Sequence, residues 1–315
     1  MPVIRNLESL KLKKYPYPVV TLGNFDGVHL GHQALFNLVK QRAAEAKGTS
    51  MVVTFEPHPT RVINKKKKLP LITLYDQKME LIESSGIDII ICLNFTPEMA
   101  RIEPEDFVRQ VLVESIGAKL VIIGYDYKFG HHGRGDRDLL IKMGQKYGFS
   151  VEIFEAQHSA DQQIISSTRI RELVSSGEVE KAPALLGRNY CITGQVVKGR
   201  DRGGKLLGFP TANLKLIDEL VPKTGVYAVE VIHADKSYGG VVNIGFNPTF
   251  GDVDFSVEVH CFDFDFDIYG QFIKLNFKAR IRDEMKFSGP EELTAQIKKD
   301  CQIAREILSK NGAST

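Results

Sequence analysis

The stretch Gly23-Asn-Phe-Asp-Gly-Val-His-Leu-Gly-His32 decides how the first half of the chain is read. It follows a short apolar run, Pro18-Val-Val-Thr-Leu22, and leads into a helical pattern with Leu35, Leu38 and Val39 on one face. Strand, glycine-bearing turn and helix in that order open an α/β unit. Apolar, β-branched runs of the same kind recur at 51–55, 87–93, 120–123 and 151–154. Such near-continuous runs suit strands buried on both faces of a parallel sheet. Helical patterns lie between them at about 33–46, 75–83, 104–116 and 138–146, stopped by Gly48, Gly86, Gly117 and Gly148. The alternation predicts a doubly wound α/β domain, with its ligand beyond the carboxyl ends of the strands near the switch in strand order.

The pattern changes after about residue 183. Segments 191–198, 226–232, 238–244, 255–262 and 272–281 alternate with period two. In the last, Ile273, Leu275, Phe277, Ala279 and Ile281 face one way, and Lys274, Asn276, Lys278, Arg280 and Arg282 the other. Turn residues separate the segments, which predicts a small antiparallel β-barrel. A terminal helix starts near Pro290, with Glu291 and Glu292 in its first turn, and ends before Gly312. The expected domains are therefore 1–183 and 184–315.

A length of 315 residues favours two domains, and 43% hydrophobic with 25% charged residues leaves ample core. A net charge of +2 gives no sign of bulk electrostatic binding to nucleic acid or membrane. The start lacks the apolar stretch of a signal peptide, so a cytoplasmic location is expected. Cys92, Cys191, Cys261 and Cys301 are far apart and form no Cys-x-x-Cys, so they read as reduced packing residues. The run Lys65–Lys68 reads as a solvated loop, with steering of phosphates as the other reading.

Three readings of His29 and His32 compete. As zinc ligands they lack a third partner at a persuasive spacing. They can also be ordinary polar residues of a turn. The third reading uses the setting: both imidazoles stand at a helix N-terminus just past a parallel strand, where backbone N–H groups and the helix dipole favour an anion. Gly23, Gly27 and Gly31 would let backbone approach a ligand, and the imidazoles would follow charge moving onto a phosphate oxygen.

His-x-Gly-His after a strand resembles the signature of the nucleotidyltransferase superfamily. A second stretch, Ile165-Ser-Ser-Thr-Arg-Ile-Arg171, resembles the element with which that superfamily holds ATP phosphates. Ser167 and Thr168 would donate to phosphate and Arg171 would neutralise it, although Ser-Ser-Thr also suits a helix N-cap. With Thr54-Phe-Glu-Pro-His-Pro59, Gly124-Tyr-Asp-Tyr-Lys-Phe-Gly130 and the second half of the chain, the sequence is similar to the bacterial bifunctional riboflavin kinase/FMN adenylyltransferase family, over nearly its whole length. The resemblance implies a Rossmann-like nucleotidyltransferase domain followed by a riboflavin kinase-like barrel. It implies ATP-phosphate contacts at Gly23, Asn24, Phe25, Asp26 and Gly31, with Mg²⁺ the other role open to Asn24 and Asp26, and a flavin contact at Asp126.

The second half opens with the glycine-rich, basic stretch 199–208, in which Gly199, Gly204, Lys205 and Gly208 are the expected phosphate contacts. It runs into Pro210-Thr-Ala-Asn213, an element that resembles the riboflavin kinases. If extended, Thr211 and Asn213 point to one side, and two neutral oxygens there can help hold Mg²⁺ that keeps phosphate and water as its other ligands. In Ser256-Val-Glu-Val-His260, Val257 and Val259 face one way and Glu258 the other. A carboxylate so placed can take a proton from a substrate hydroxyl, and the resemblance makes Glu258 the base for the ribityl 5′-hydroxyl and Asn243 a flavin contact. Asp263, Asp265 and Asp267 alternate with phenylalanines and read as a strand end. The chain departs from the family in two places: Asn189 stands where proline is usual, and Lys205 keeps the charge of the usual arginine but loses its planar fork.

The expected activities are phosphorylation of riboflavin by ATP, giving FMN and ADP, and adenylylation of FMN by a second ATP, giving FAD and pyrophosphate. Mg²⁺ would come with ATP, and the flavins would be substrates and products rather than prosthetic groups. Two other classes fit parts of the sequence: a different nucleotidyltransferase carrying an inert barrel, and a nucleotide or flavin sensor without turnover.

Overall fold

The computed structural model describes residues 3–11, 13–64, 69–197, 209–234, 236–248, 253–264 and 268–311. Backbone contacts divide the chain into two units, Met1–Ser167 and Thr168–Thr315.

In the first unit, strands β1 (Val3–Ile4), β2 (Pro18–Leu22), β3 (Thr49–Glu56), β4 (Ile89–Asn94), β5 (Leu120–Gly124) and β6 (Ser150–Phe154) form one sheet in the order β1-β4-β3-β2-β5-β6. Every pairing is parallel. Alternate residues of each strand feed separate cores: Val20, Val53, Ile91 and Val121 pack on one face, and Val19, Val52, Ile90 and Ile122 on the other. This explains why the strands read as continuous apolar runs. The two-residue edge strand β1 is too short to show any periodicity and was not foreseen from sequence. From β2 the chain builds outward through β3 and β4, then returns to β5 on the opposite side. The switch in strand order therefore falls at β2, the strand that feeds 23–32.

The helices lie close to their expected places. Asp136 caps the Arg137–Tyr147 helix by accepting from the Leu139 amide at 3.0 Å, and Gly148 ends it at φ +78°. The helix from Pro104 is α-helical only to Phe107 and continues with wider π-type turns through Val108–Ile116.

In the second unit, β7 (Cys191–Val197), β8 (Ala212–Lys215), β9 (Gly225–His233), β10 (Lys236–Pro248), β11 (Val253–Cys261) and β12 (Phe272–Arg282) close into an antiparallel barrel in the order β10-β11-β8-β7-β12-β9. Val229, Val231, Val242, Ile244, Val257, Val259, Leu275 and Phe277 are buried on the inner face. The C-terminal helix, Pro290–Asn311, packs on the outer face, where Ala304, Cys301 and Leu308 meet Val226, Ala228 and Val241.

The alternation expected along β12 holds only to Phe277. Register shifts follow between Phe277 and Ala279 and again between Arg280 and Arg282. The first turns Ala279 out beside Ala228 and brings Arg280 in to Tyr227, whose hydroxyl accepts from Arg280 Nε at 3.2 Å. The second restores the outward side to Arg282, opposite Val226.

Candidate active sites

The turn after β2 is strained. Phe25 has φ +51°, Gly27 +86° and Val28 +38°. A β-branched residue in the left-handed region is an outlier, costing on the order of 1–3 kcal/mol, and such costs persist only where the surroundings fix the conformation. Several contacts do so here. The Phe25 ring meets His32 edge-on at 5.1 Å and Phe36 at 4.9 Å. A Cβ at Gly23 would lie 2.7 Å from that ring, one at Gly27 3.1 Å from Ile72, and one at Gly31 3.2 Å from the His29 ring. Side chains of the protein itself thus fill the space these glycines leave, where sequence had suggested room for a ligand.

His29 caps the Leu30–Glu45 helix. Its Nδ1 accepts from the His32 amide at 3.3 Å, so in the neutral ring the proton sits on Nε2, which becomes the donating nitrogen. The two imidazoles stack with centroids 3.5 Å apart and planes 18° from parallel. His32 Nδ1 is enclosed with no hydrogen-bond partner. Burial, with the neighbouring His29 charge second, holds the His32 pKa well below the ordinary histidine value, so the ring is neutral at pH 7. A helix N-terminus, its dipole and two juxtaposed imidazoles stand together at the switch point, an arrangement whose electrostatics favour an anion.

The other residues expected around this turn have mixed placements. Asn24 is exposed, and its carbonyl accepts from Thr54 Oγ1 at 3.2 Å. Asp26 is buried, and its carboxylate accepts from the amides of Ile72 and Thr73. Ser167 Oγ donates to the Asp26 carbonyl at 2.9 Å. Thr168, exposed, and Arg171, half-buried, stand on the Ser167–Ser176 helix. Asp126 is exposed in the loop after β5. Lys78, which sequence reading passed over, is buried at the end of β3, donating to the Phe55 carbonyl at 3.0 Å and lying 3.5 Å from Glu56 Oε2.

The second unit holds a cavity of about 750 Å³ between the outer face of the barrel and the C-terminal helix. Glu258, Asn243 and Thr211 line it. Register makes this convergence: Glu258 on β11 lies opposite Asn243 on β10 and opposite Asn213 on β8. Residues directly across a ladder share a face, so Asn213, Glu258 and Asn243 form one polar row. Thr211 and Asn213 thus offer neutral oxygens beside a carboxylate, a donor set of the hard kind that Mg²⁺ accepts. Among the described residues, no group of three His, Cys, Asp or Glu side chains could hold a metal ion by itself. Gly199, Gly204, Lys205 and Gly208 lie outside the described residues, as do Lys65–Lys68, Asp265 and Asp267. Asp263 pairs with Arg305 at 3.2 Å.

Several cavity residues had been given no role from sequence. His260 shares the face of Glu258 two positions on, and its Nδ1 lies 2.8 Å from the Pro210 carbonyl. Phe209, Phe246 and Phe287 supply apolar wall. Arg282 grips Asp300 of the C-terminal helix through Nε at 3.0 Å and Nη2 at 2.8 Å. These side chains are only 17% and 3% exposed, and Gln296 also donates to Asp300. Alternation placed Arg282 on the polar face, but no sequence signal joined it to a helix 18 residues on.

All four cysteines are free thiols, and burial pushes the Cys261 thiol up to about 11. Among the described residues, no helix is long and apolar enough to cross a membrane.

Two family models match the chain: FAD synthetase over residues 13–169 and riboflavin kinase over residues 186–308. The chain is 36% identical over 309 residues to the bifunctional riboflavin kinase/FMN adenylyltransferase of Escherichia coli (strain K12), covering 98% of each. To the protein of that name from Bacillus subtilis (strain 168) it is 39% identical over 297 residues, covering 92% of each. A crystal structure described as a macrolide-efflux protein from Streptococcus pneumoniae matches with a TM-score of 0.85 at 31% identity, covering 96% of this chain and 98% of that one.

Proposed function

Since this chain belongs to the bifunctional riboflavin kinase/FMN adenylyltransferase family, making FMN from riboflavin and FAD from FMN, we propose that each reaction has its own site and its own kind of catalysis. What supports this most is that the stacked His29 and His32 belong to one contact unit and the Glu258 cavity to the other. We place the functional boundary at 183/184: the Ser167–Ser176 helix clusters by backbone contact with the barrel, yet it carries the end of the phosphate motif.

In the barrel cavity, riboflavin presents its 5′-hydroxyl to Glu258. The carboxylate accepts the proton as the hydroxyl oxygen bonds to the terminal phosphorus of ATP and the bond to ADP breaks. Asn243 orients the flavin, and the aromatic wall offers the ring system an apolar surface. Thr211 and Asn213 would hold Mg²⁺, which supplies charge neutralisation for the phosphates when bound. Gly199, Gly204, Lys205 and Gly208 would complete the nucleotide contacts.

At the β2 turn the nucleophile is the phosphate of FMN, already ionised at neutral pH. No strong base is required; an oxygen of that phosphate attacks the α-phosphorus of ATP and pyrophosphate leaves. The work of the protein is placement and charge stabilisation. The Leu30–Glu45 N-terminus, the Nε2–H of His29 and the His32 ring receive the developing negative charge. Gly23, Asn24, Phe25 and Gly31 shape the turn, and Ser167, Thr168 and Arg171 are assigned to the phosphates from their motif. Asp126 is assigned to the flavin on the same ground. The free thiols fit a reducing, cytoplasmic setting.

Assays of variants with riboflavin and with FMN test the division. Glu258→Ala should lower riboflavin phosphorylation roughly 10²–10⁴-fold and leave FMN adenylylation within about twofold. The double replacement His29→Asn/His32→Asn should do the reverse, by about 10²–10³-fold. Loss of both activities from either change, in a protein with an unaltered melting profile, would rule out independent sites.

A further inference from the structure

Asp26 is 3% exposed, and its buried carboxylate is fully engaged with backbone 46 and 47 residues away. Oδ1 accepts from the Ile72 amide at 3.1 Å, the Thr73 amide at 3.0 Å and the Thr73 hydroxyl at 3.3 Å. Oδ2 accepts from the Ile72 amide at 3.2 Å. The Thr73 hydroxyl oxygen in turn accepts from the Gly27 amide at 3.0 Å. The Asp26 carbonyl accepts from Ser167 Oγ at 2.9 Å. Residue 26 is therefore tied through side chain and main chain, and it lies between Phe25 and Gly27, both at positive φ.

A strained turn holds its shape only if its neighbours over-determine it. The Asp26 contacts meet that need and also give acceptors to two buried amides of an irregular segment, which would otherwise be costly. Two residues beyond this knot, His29 begins the cap that aligns the imidazoles.

We propose that Asp26 is a positioning residue for adenylyl transfer: bound to Ile72 and Thr73, it holds the left-handed turn in the conformation that stacks His29 on His32, and it does not touch substrate. The proposal rests on the reading of His29 and His32 as phosphate ligands. It separates Asp26 from a role by charge, such as binding a cation. An asparagine keeps Oδ1, the atom that accepts from the Ile72 amide and from both Thr73 donors, and so should preserve the geometry; a role by charge would not survive the amide.

The test uses full-length Asp26→Ala, Asp26→Asn and Thr73→Val proteins, with kcat and KM for FMN adenylylation, riboflavin phosphorylation in the same preparations, and imidazole ¹⁵N NMR titration. Misplacement of groups around a reacting centre costs up to about 100-fold, so Asp26→Ala should lower the adenylylation kcat roughly 30-fold, with KM for ATP changed by less than about threefold. Asp26→Asn should stay within about threefold of the parent, and Thr73→Val should fall about fivefold. Riboflavin phosphorylation should be unchanged in all three. In Asp26→Ala the His32 titration should move up toward the ordinary histidine value as the stack loosens. An Asp26→Ala kcat within about twofold of the parent, with unmoved imidazole titrations, overturns the proposal, as does Asp26→Asn being as impaired as Asp26→Ala. Should Asp26→Ala fail to fold, Thr73→Val carries the test: a silent Thr73→Val overturns it. The His29→Asn/His32→Asn protein separates the two readings. If it retains adenylylation, the site assignment fails; if it is inactive while Asp26→Ala is not, only the role of Asp26 fails.

Discussion

In the turn after β2, three of four consecutive residues, 25–28, sit at positive φ, and the two histidines of interest are three positions apart. In the barrel cavity, Asn213, Glu258 and Asn243 sit in extended strands, are far apart in sequence, and meet because three strands share a register. One site is shaped by local backbone strain held by a few hydrogen bonds; the other is shaped by ladders and a long-range ion pair. The difference fits the division of chemistry proposed for the two sites. An ionised phosphate nucleophile needs donors at a defined point, which a helix N-terminus supplies. A hydroxyl nucleophile needs a base inside a concave, partly apolar site, which a row of side chains under a packed helix supplies.

The contrast can be broken by disabling each kind of support. Asp300→Ala leaves Arg282 without its carboxylate partner in a largely buried site, where loss of one member of a buried pair costs about 3–5 kcal/mol. Thermal unfolding should show the barrel transition lowered and riboflavin phosphorylation lost, with FMN adenylylation retained at temperatures where the first unit stays folded. A loss below about 1 kcal/mol would mean that the ion pair is not what braces the cavity. Gly27→Ala acts on the other kind of support. It puts a side chain at φ +86° and 3.1 Å from Ile72, and should cost roughly 1–2 kcal/mol in the first unit, with adenylylation falling and phosphorylation steady. An unchanged adenylylation rate would show that the turn tolerates remodelling.

The smallest effect concerns pH. The folded pKa of His32 lies well below its unfolded value, so below about pH 6.5 the unfolded chain takes up a proton that the folded ring refuses. Stability from this group is fully present above that value and is lost as pH falls toward the folded pKa, with a slope of at most about 1.4 kcal/mol per pH unit. Denaturant titrations at pH 7, 6 and 5 should show this slope in the parent and its loss in His32→Gln. Equal slopes in the two proteins would place the acid sensitivity elsewhere.

The two sites also differed in how far sequence alone reached. Five of the six parallel strands were legible because burial on both faces leaves long apolar runs; Val3–Ile4 was not, being two residues long. The His29–His32 spacing was legible because strand, turn and helix are contiguous. The strain at Phe25 and Val28 was not, since nothing in those residue types marks positive φ. In the barrel, Glu258 and His260 could be given one face by alternation. The partnership of Arg282 with Asp300 could not be read, because it depends on where a helix packs. The inversion of Ala279 and Arg280 escaped because register shifts leave no periodic trace.

Those two shifts in β12 act like paired frameshifts. The first reverses which residues of the strand look inward, and the second reverses them back. Insertion of one residue between them would therefore leave the chain hydrogen-bonded but move Ile281, which packs beside Val226 and Ala228, into the register of Arg282, while a deletion would put Asp283 there. Single-residue length variation in this short span should be selected against more strongly than substitution, and viable length changes should come in compensating pairs.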